Sequence, residues 1–284
     1  MQPDIMSTVP DPALDPALDP ALEHELPPPP PGGDGFRTER PVRAGDVDTD
    51  NRLRYDSVAR YLQDIGSDNL DASGLDGSDP LWIVRRTVID VHRPAVWPDR
   101  ISLHRWCSGL STRWSNMRVA ITSPKGASLE TEAFWINISQ TTGMPTRISD
   151  DGIAVLQRSA DEHRLKWKAW LTEPLPAPSN TDFEFPLRVT DIDAFNHVNN
   201  AAYWQAVEEV VADADDITSV PHRAVIEYIS PILAREHVII RQRRDGTTIT
   251  IWFVVDEKVR TVARFSPLSG KAGGRSGDSG GSTP

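Results

Sequence analysis

The chain repeats itself, and this repeat constrains what its 284 residues can fold into more than any other feature. Residues 42 to 53 read VRAGDVDTDNRL and residues 187 to 198 read LRVTDIDAFNHV, so Asp46, Asp48 and Asn51 fall on Asp191, Asp193 and Asn196 at an offset of 145. Val58, Tyr61, Leu62 and Ile65 follow the first copy at i, i+3, i+4, i+7. Tyr203, Ala206, Val207 and Val210 follow the second at the same spacing, the period of an amphipathic helix. VIDVHRPAVWPDRI (88 to 101) then parallels VIEYISPILAREHV (225 to 238), with Pro94 against Pro231 and an acid five residues beyond each proline. Runs rich in Val, Ile, Thr and aromatics predict strands near 101–107, 116–122 and 129–138, and again near 238–243, 247–256 and 259–265, broken at Pro124, Lys125, Gly126 and at Asp245, Gly246. Two copies of a lead strand, a helix and several antiparallel strands predict an α+β fold in which each half curls a sheet around one helix.

The flanks differ from this body. Residues 1–35 contain DPALDPALDPAL and five consecutive prolines, with too little apolar content to offset ordering entropy, and are expected to be disordered. The Gly/Ser-rich stretch 269–284 reads as a flexible tail. The expected organisation is an N-terminal domain at 36–149, a connector at 150–180 with a helical stretch including LKWKAWL, and a C-terminal domain at 181–268.

Composition removes several function classes. No apolar run approaches the roughly 18 residues that span a bilayer, and Cys107 is the only cysteine, so no intrachain disulfide can form. Without a basic-then-apolar leader the expected location is cytoplasmic. No phosphate-binding loop or dinucleotide fingerprint is present, and no cofactor is expected. The seven histidines are scattered and Cys107 has no metal-ligand spacing around it, so no metal site is expected, and Cys107 reads as a core residue. The letters GDSGG at 277–281 copy the surroundings of a trypsin-type serine, but they sit in the tail without a matching histidine and aspartate and read as coincidence. The net charge of −11 argues against nucleic acid. Seven of those acids lie in residues 1–35, which have no Lys or Arg, so the remainder carries −4. Within it, 82–118 holds seven arginines against Asp90 and Asp99. That stretch is either a solvated sheet face or a dock for an anionic partner such as a phosphopantetheine carrier, through Arg85, Arg86, Arg93 and Arg100.

The densest polar stretch is DIDAFNHVNN, 191–200, just ahead of the second helix. A helix's first turn offers free N–H donors and the positive end of its dipole, which can hold an oxyanion, and Asn199 or Asn200 is a natural N-cap. Asp and Asn are also common at helix starts for local reasons alone. The first copy keeps Asp46, Asp48 and Asn51 but has Arg52 where the second has His197, so the second is the candidate working copy, with one site per chain.

With D-x-D-x-x-N-H-V-N-N-x-x-Y at the helix mouth and VIDV…RPA in the first half, the chain resembles the acyl-acyl carrier protein thioesterases over nearly all of 36–268. The resemblance implies a double hotdog and hydrolysis of fatty acyl thioesters to free fatty acids, with acyl carrier protein as partner and the chain a monomer or homodimer. Asp193 takes the place of the family's catalytic aspartate, with His197 and Asn196 orienting it and the amides of Asn199, Asn200 and Ala201 holding the oxyanion. Phe195 stands where the plant enzymes have a catalytic asparagine, and Pro231 and Ile232 stand where they have a Glu-Cys pair. The missing orienting contact would then fall to Asn196 or Glu227. Two alternatives stay open: a non-catalytic acyl- or carrier-binding protein, and a hotdog hydratase or dehydratase, whose D-x-N-P-L-H motif has no match here.

Overall fold

A computed structural model describes residues 19–268. The first half has β1 (Phe36–Pro41), β2 (Trp82–Arg93), β3 (Arg100–Leu110), β4 (Trp114–Thr122) and β5 (Ser128–Asn137), the last three on the predicted strand runs. The second half has β6 (Phe183–Phe185), β7 (His222–Tyr228), β8 (Val238–Asp245), β9 (Thr248–Val255) and β10 (Lys258–Pro267). All ten form one antiparallel sheet in the order β1-β3-β4-β5-β2-β7-β10-β9-β8-β6. The order reads identically from either end once each strand is replaced by its repeat, so a pseudo-two-fold axis passes between Val88 and Val225, which pair at the centre of the β2–β7 seam.

The helices of the repeat, α2 (Tyr55–Ser73) and α4 (Asn200–Val211), pack against each other inside the curl of this sheet. Their apolar stripes, Val58, Tyr61 and Ile65 on one and Trp204, Val207 and Val211 on the other, are buried with Ile89, Ile226 and Phe253 in one core. Helix α2 stops where Gly74 takes a left-handed φ of 69°, its amide and that of Leu75 returning to carbonyls of the last turn, a conformation glycine adopts without a Cβ clash. One helix wrapped by each half of a continuous antiparallel sheet is the double hotdog.

The outer face of the sheet differs from the expectation. At the seam Arg86 pairs with Glu227 at 2.9 Å and Arg223 with Asp90 at 2.6 Å. These pairs are mates under the pseudo-two-fold, and all four residues are at most 5% exposed. Buried charges need every remaining donor and acceptor satisfied, and two segments of chain do this. The connector lays Lys168 O on Arg86 at 3.0 Å and the amides of Trp170 and Leu171 on Glu227 at 3.0 and 3.1 Å. The Trp170 ring also stacks 3.4 Å from the Arg86 guanidinium carbon. On the other side, α1 (Pro20–Glu23) places His24 O 2.7 Å from Arg223, while Asp19 pairs with Arg264 and Ala21 is fully buried.

Three expectations are corrected by this arrangement. Residues 19–35 are not disordered but lend Leu22 O and His24 O to the buried Arg223; residues 1–18 and 269–284, with the GDSGG stretch, lie outside the described residues. Helix α3 (Asp150–Leu156) is the only helix of the connector, and LKWKAWL (165–171) is not helical, since the amides of Trp170 and Leu171 are spent on Glu227 and not on carbonyls four residues back. Arg86 is interior and cannot dock a carrier. Replacing Glu227 with alanine leaves the buried Arg86 charge without its counter-charge and two amides without an acceptor, and is expected to lower unfolding free energy by about 3–5 kcal/mol in urea titrations. A loss below about 1 kcal/mol would show that the seam pairs are solvated.

Candidate active site

A one-turn 3-10 helix at Val189–Asp191 leads into the loop ahead of α4. The buried Asp191 carboxylate closes this turn on the Arg188 amide at 2.8 Å, and its carbonyl accepts from Asn199 N–H at 2.7 Å, so the two ends of the loop are tied together. Between them Asp193 Oδ1 accepts from the amides of Phe195 (2.9 Å) and His197 (3.1 Å), and Asp193 N–H donates to His197 O at 2.8 Å. Asn196 supplies the left-handed residue this turn needs, with φ 60°. Val198 N–H then donates to Ile232 O at 2.8 Å and Ala234 N–H to Asn196 O at 3.3 Å, fastening the loop to 232–234.

The first repeat builds the same turn. Asp48 Oδ1 accepts from Asp50 N–H at 2.9 Å and Arg52 N–H at 2.8 Å, Asn51 has φ 63°, and Leu53 N–H donates to Ala95 O. The shared Asp and Asn therefore serve the loop in both halves, and what distinguishes the mouths is what is left over. At the α2 mouth Arg52 Nε donates to Asp48 Oδ2 at 3.1 Å, and the Glu208 carboxylate, reaching over from α4, accepts from the Tyr55 amide. Both the carboxylate and the helix donor of that mouth are occupied. At the α4 mouth, among the described residues, nothing donates to Asp193 Oδ2 and nothing accepts from Asn200 N–H.

This geometry revises the expected roles. Asn199 caps the helix, its Oδ1 accepting from Ala201 N–H at 2.9 Å, while its own amide is bound to Asp191. Of Asn199, Asn200 and Ala201, only Asn200 has its amide free for an oxyanion. Asp193 meets His197 through the histidine's main chain, and no hydrogen bond joins the carboxylate to the imidazole. Asn196 acts through its backbone angle and carbonyl, as Asn51 does. Glu227 lies on the outer face of the sheet beneath Trp170 and cannot orient anything at the site. Ile232 is 1% exposed, whereas Phe195 (61%), Val189 (93%) and Leu233 (41%) stand out as apolar surface on the site loop, on the turn before it and on the loop bonded to it.

Two further groups were not singled out from the sequence. Tyr203 stands in the first turn of α4 where the first repeat has Val58, and its hydroxyl accepts from Ile232 N–H at 3.3 Å. Burial pushes that hydroxyl up to about 12, helped by the nearby charges of Asp193 and Glu236. Glu236 accepts from Leu233 N–H at 2.8 Å and pairs with Arg260 at 3.1 Å, stiffening the loop that backs the site. The visible signals were its place as the last residue of the D-x-D-x-x-N-H-V-N-N-x-x-Y motif and the polar-for-apolar exchange of Tyr203 for Val58. Of the predicted dock, Arg85 is half-buried with its guanidinium 5.1 Å from the Trp167 ring, and Arg93 and Arg100 are exposed but flank 94–99, which pairs with the loop of the α2 mouth. Burial pushes the Cys107 thiol up to about 12, which suits a core residue and not a nucleophile. Among the described residues no three potential metal ligands cluster and no helix is long and apolar enough to cross a membrane.

Glu208 gives the α2 mouth a measurable signature. Burial, with the charges of Asp56 and Asp48 against those of Arg54 and the Tyr55 amide, pushes its carboxyl from 4.5 up to about 7. A raised carboxyl means that the folded chain holds an extra proton between those values, so its contribution to stability is full below pH 4.5 and is lost as pH rises through about 7. Glu208→Gln is expected to flatten that fall in denaturant titrations between pH 4.5 and 8 while keeping the bond from Tyr55; an unchanged slope would place the titration elsewhere.

The comparisons with known proteins agree with the fold. The pattern of the acyl-ACP thioesterase N-terminal domain matches residues 33–156, and that of the C-terminal domain matches residues 176–259. An uncharacterized protein of Mycobacterium tuberculosis, found in strains CDC 1551 / Oshkosh and H37Rv, is 43% identical over 239 residues, covering 84% of this chain and 94% of its own. Among solved structures, the 12:0-ACP thioesterase from Umbellularia californica superposes with a TM-score of 0.64 at 17% identity, over 81% of this chain and 96% of that one. An acyl-ACP thioesterase from Bacteroides thetaiotaomicron superposes with a TM-score of 0.68 at 13% identity, over the same shares. Those identities speak for the fold alone. The two domain patterns, which span most of the sequence, identify the chain as a member of the acyl-ACP thioesterase family.

Proposed function

We propose that the chain hydrolyses fatty acyl thioesters carried on acyl carrier protein, releasing a free fatty acid, at the mouth of α4. The observation that supports this most directly is the contrast between the repeats: Asp193 Oδ2 and Asn200 N–H are free where Asp48 Oδ2 and Tyr55 N–H are taken. The two amides on Asp193 Oδ1 hold the carboxylate in place, leaving Oδ2 to take a proton from water or to attack the carbonyl itself. As the thioester carbon becomes tetrahedral, its oxygen gains charge opposite the Asn200 amide, at the positive end of the α4 dipole. His197, whose imidazole has no partner among the described residues, is free to hold the water or the substrate carbonyl. The thiolate departs with little acid assistance.

One observation favours a second reading. Phe195 is exposed at the position of the family's asparagine, and buried Ile232 offers no polar group, so a chain that binds acyl carriers without turning them over fits the same mouth. Free-thiol release from acyl carrier protein and acyl-CoA thioesters of graded chain length separates the two. Hydrolysis is expected, and Asp193→Asn, which keeps the Oδ1 acceptor and therefore the loop, is expected to lower kcat by about 10² to 10⁴-fold. The matching Asp48→Asn change is expected to leave kcat unchanged. A wild type that turns over none of the thioesters would give the binding reading precedence.

A further inference from the structure

The pseudo-two-fold axis relates the two helix mouths, and each mouth receives one side chain from the helix of the other half. Gln63 lies eight residues beyond Tyr55, the first residue of α2, and Glu208 lies eight beyond Asn200, the first of α4. Each therefore comes to rest at the N-terminus of the opposite helix. Glu208 accepts from Tyr55 N–H; Gln63 Nε2 donates to Asn199 Oδ1 at 3.2 Å, the same oxygen that caps Ala201.

The chemical difference between these two side chains decides which mouth stays open. A carboxylate has only acceptors to offer, and a helix N-terminus has only donors, so Glu208 closes the α2 mouth by taking its amide. A carboxamide carries two donors as well as an acceptor, and it carries no charge. Gln63 spends one N–H on the Asn199 cap, and nothing among the described residues donates to its Oε1.

We propose that Gln63, supplied by the first half of the chain, is a positioning residue of the α4 site. Its amide holds the Asn199 cap in place, and with its donor directed there it leaves Asn200 N–H available to the oxyanion. The inference rests on the thioesterase reading for its catalytic consequence, though not for the contact itself. It also assigns the first repeat a role beyond covering the core: the α4 mouth is completed by a side chain that the second repeat does not contain. A glutamate at position 63 would repel Asn199 Oδ1 and, following the geometry of Glu208, would take the Asn200 amide. A methionine of similar length would only remove the hydrogen bond.

The test compares the full chain with Gln63→Glu and Gln63→Met, measuring kcat and KM on the best thioester of the panel and amide hydrogen exchange at Ala201 by NMR. Gln63→Glu is expected to lower kcat about 100-fold, the effect of losing one oxyanion donor, with KM changed little. Gln63→Met is expected to lower it about fivefold, the effect of one hydrogen bond. Ala201 exchange is expected to accelerate in both, because its cap is loosened. Unchanged exchange in both variants, or a Gln63→Glu enzyme with wild-type kcat, would overturn the inference. A wild type without turnover would remove the thioesterase reading alone, and Ala201 exchange would still decide whether Gln63 holds the cap.

Discussion

The antiparallel seam between β2 and β7 is the constraint on which the rest of the structure depends. It joins two half-sheets into one, sets the pseudo-two-fold axis, and so determines that the helices wrapped by the two halves pack with each mouth beside the other's ninth residue. Its outer face sets charge beside hydrocarbon, with Arg86–Glu227 and Arg223–Asp90 in symmetric positions around Val88 and Val225. Such pairs give little net stability over an apolar equivalent, but they are costly to leave partly satisfied. The residues around them follow from that demand: a connector that forgoes a helix so its amides reach Glu227, and an N-terminal segment that lends its carbonyls to Arg223.

A duplicated fold offers an internal control for its own active site. Both repeats spend an aspartate and an asparagine on the same turn, so those residues alone say nothing about chemistry. Arg52 on Asp48 and Glu208 on Tyr55 neutralise one mouth, and their replacement by His197 and Gln63 leaves the other with an accessible carboxylate oxygen and an unpaired helix amide. Catalytic potential here is a matter of which polar groups the fold has not already used.

Much of the architecture was legible in the sequence, because a repeat doubles every periodicity and lets each half check the other. The helices at Tyr55–Ser73 and Asn200–Val211 followed from 3.6 spacing and the last three strands of each half from runs of Val, Ile, Thr and aromatics, with breaks where Gly126 and Gly246 take positive φ. The connector did not follow, since LKWKAWL has helical spacing and only its amide bonds to Glu227 take it out of a helix. The acidic, Pro-rich composition of 19–35 hid the same thing: a few well-placed carbonyls over buried arginines outweigh a low apolar content. A run of arginines in sequence likewise gives no sign of which face each will occupy or which acid will meet it, and Arg86 and Arg118 are interior.

What the sequence by itself determined was the existence of two like halves, the loop chemistry at each helix start and the asymmetry of His197 against Arg52, because these are local patterns carried by consecutive residues. Only the tertiary structure decided that Asn200 alone of three neighbouring amides is free, that Glu227 faces away from the site, and that Gln63 and Glu208 cross between the halves. The last two outcomes depend on partners more than 100 positions away in the chain, and a hydrogen bond is specified by both of its ends.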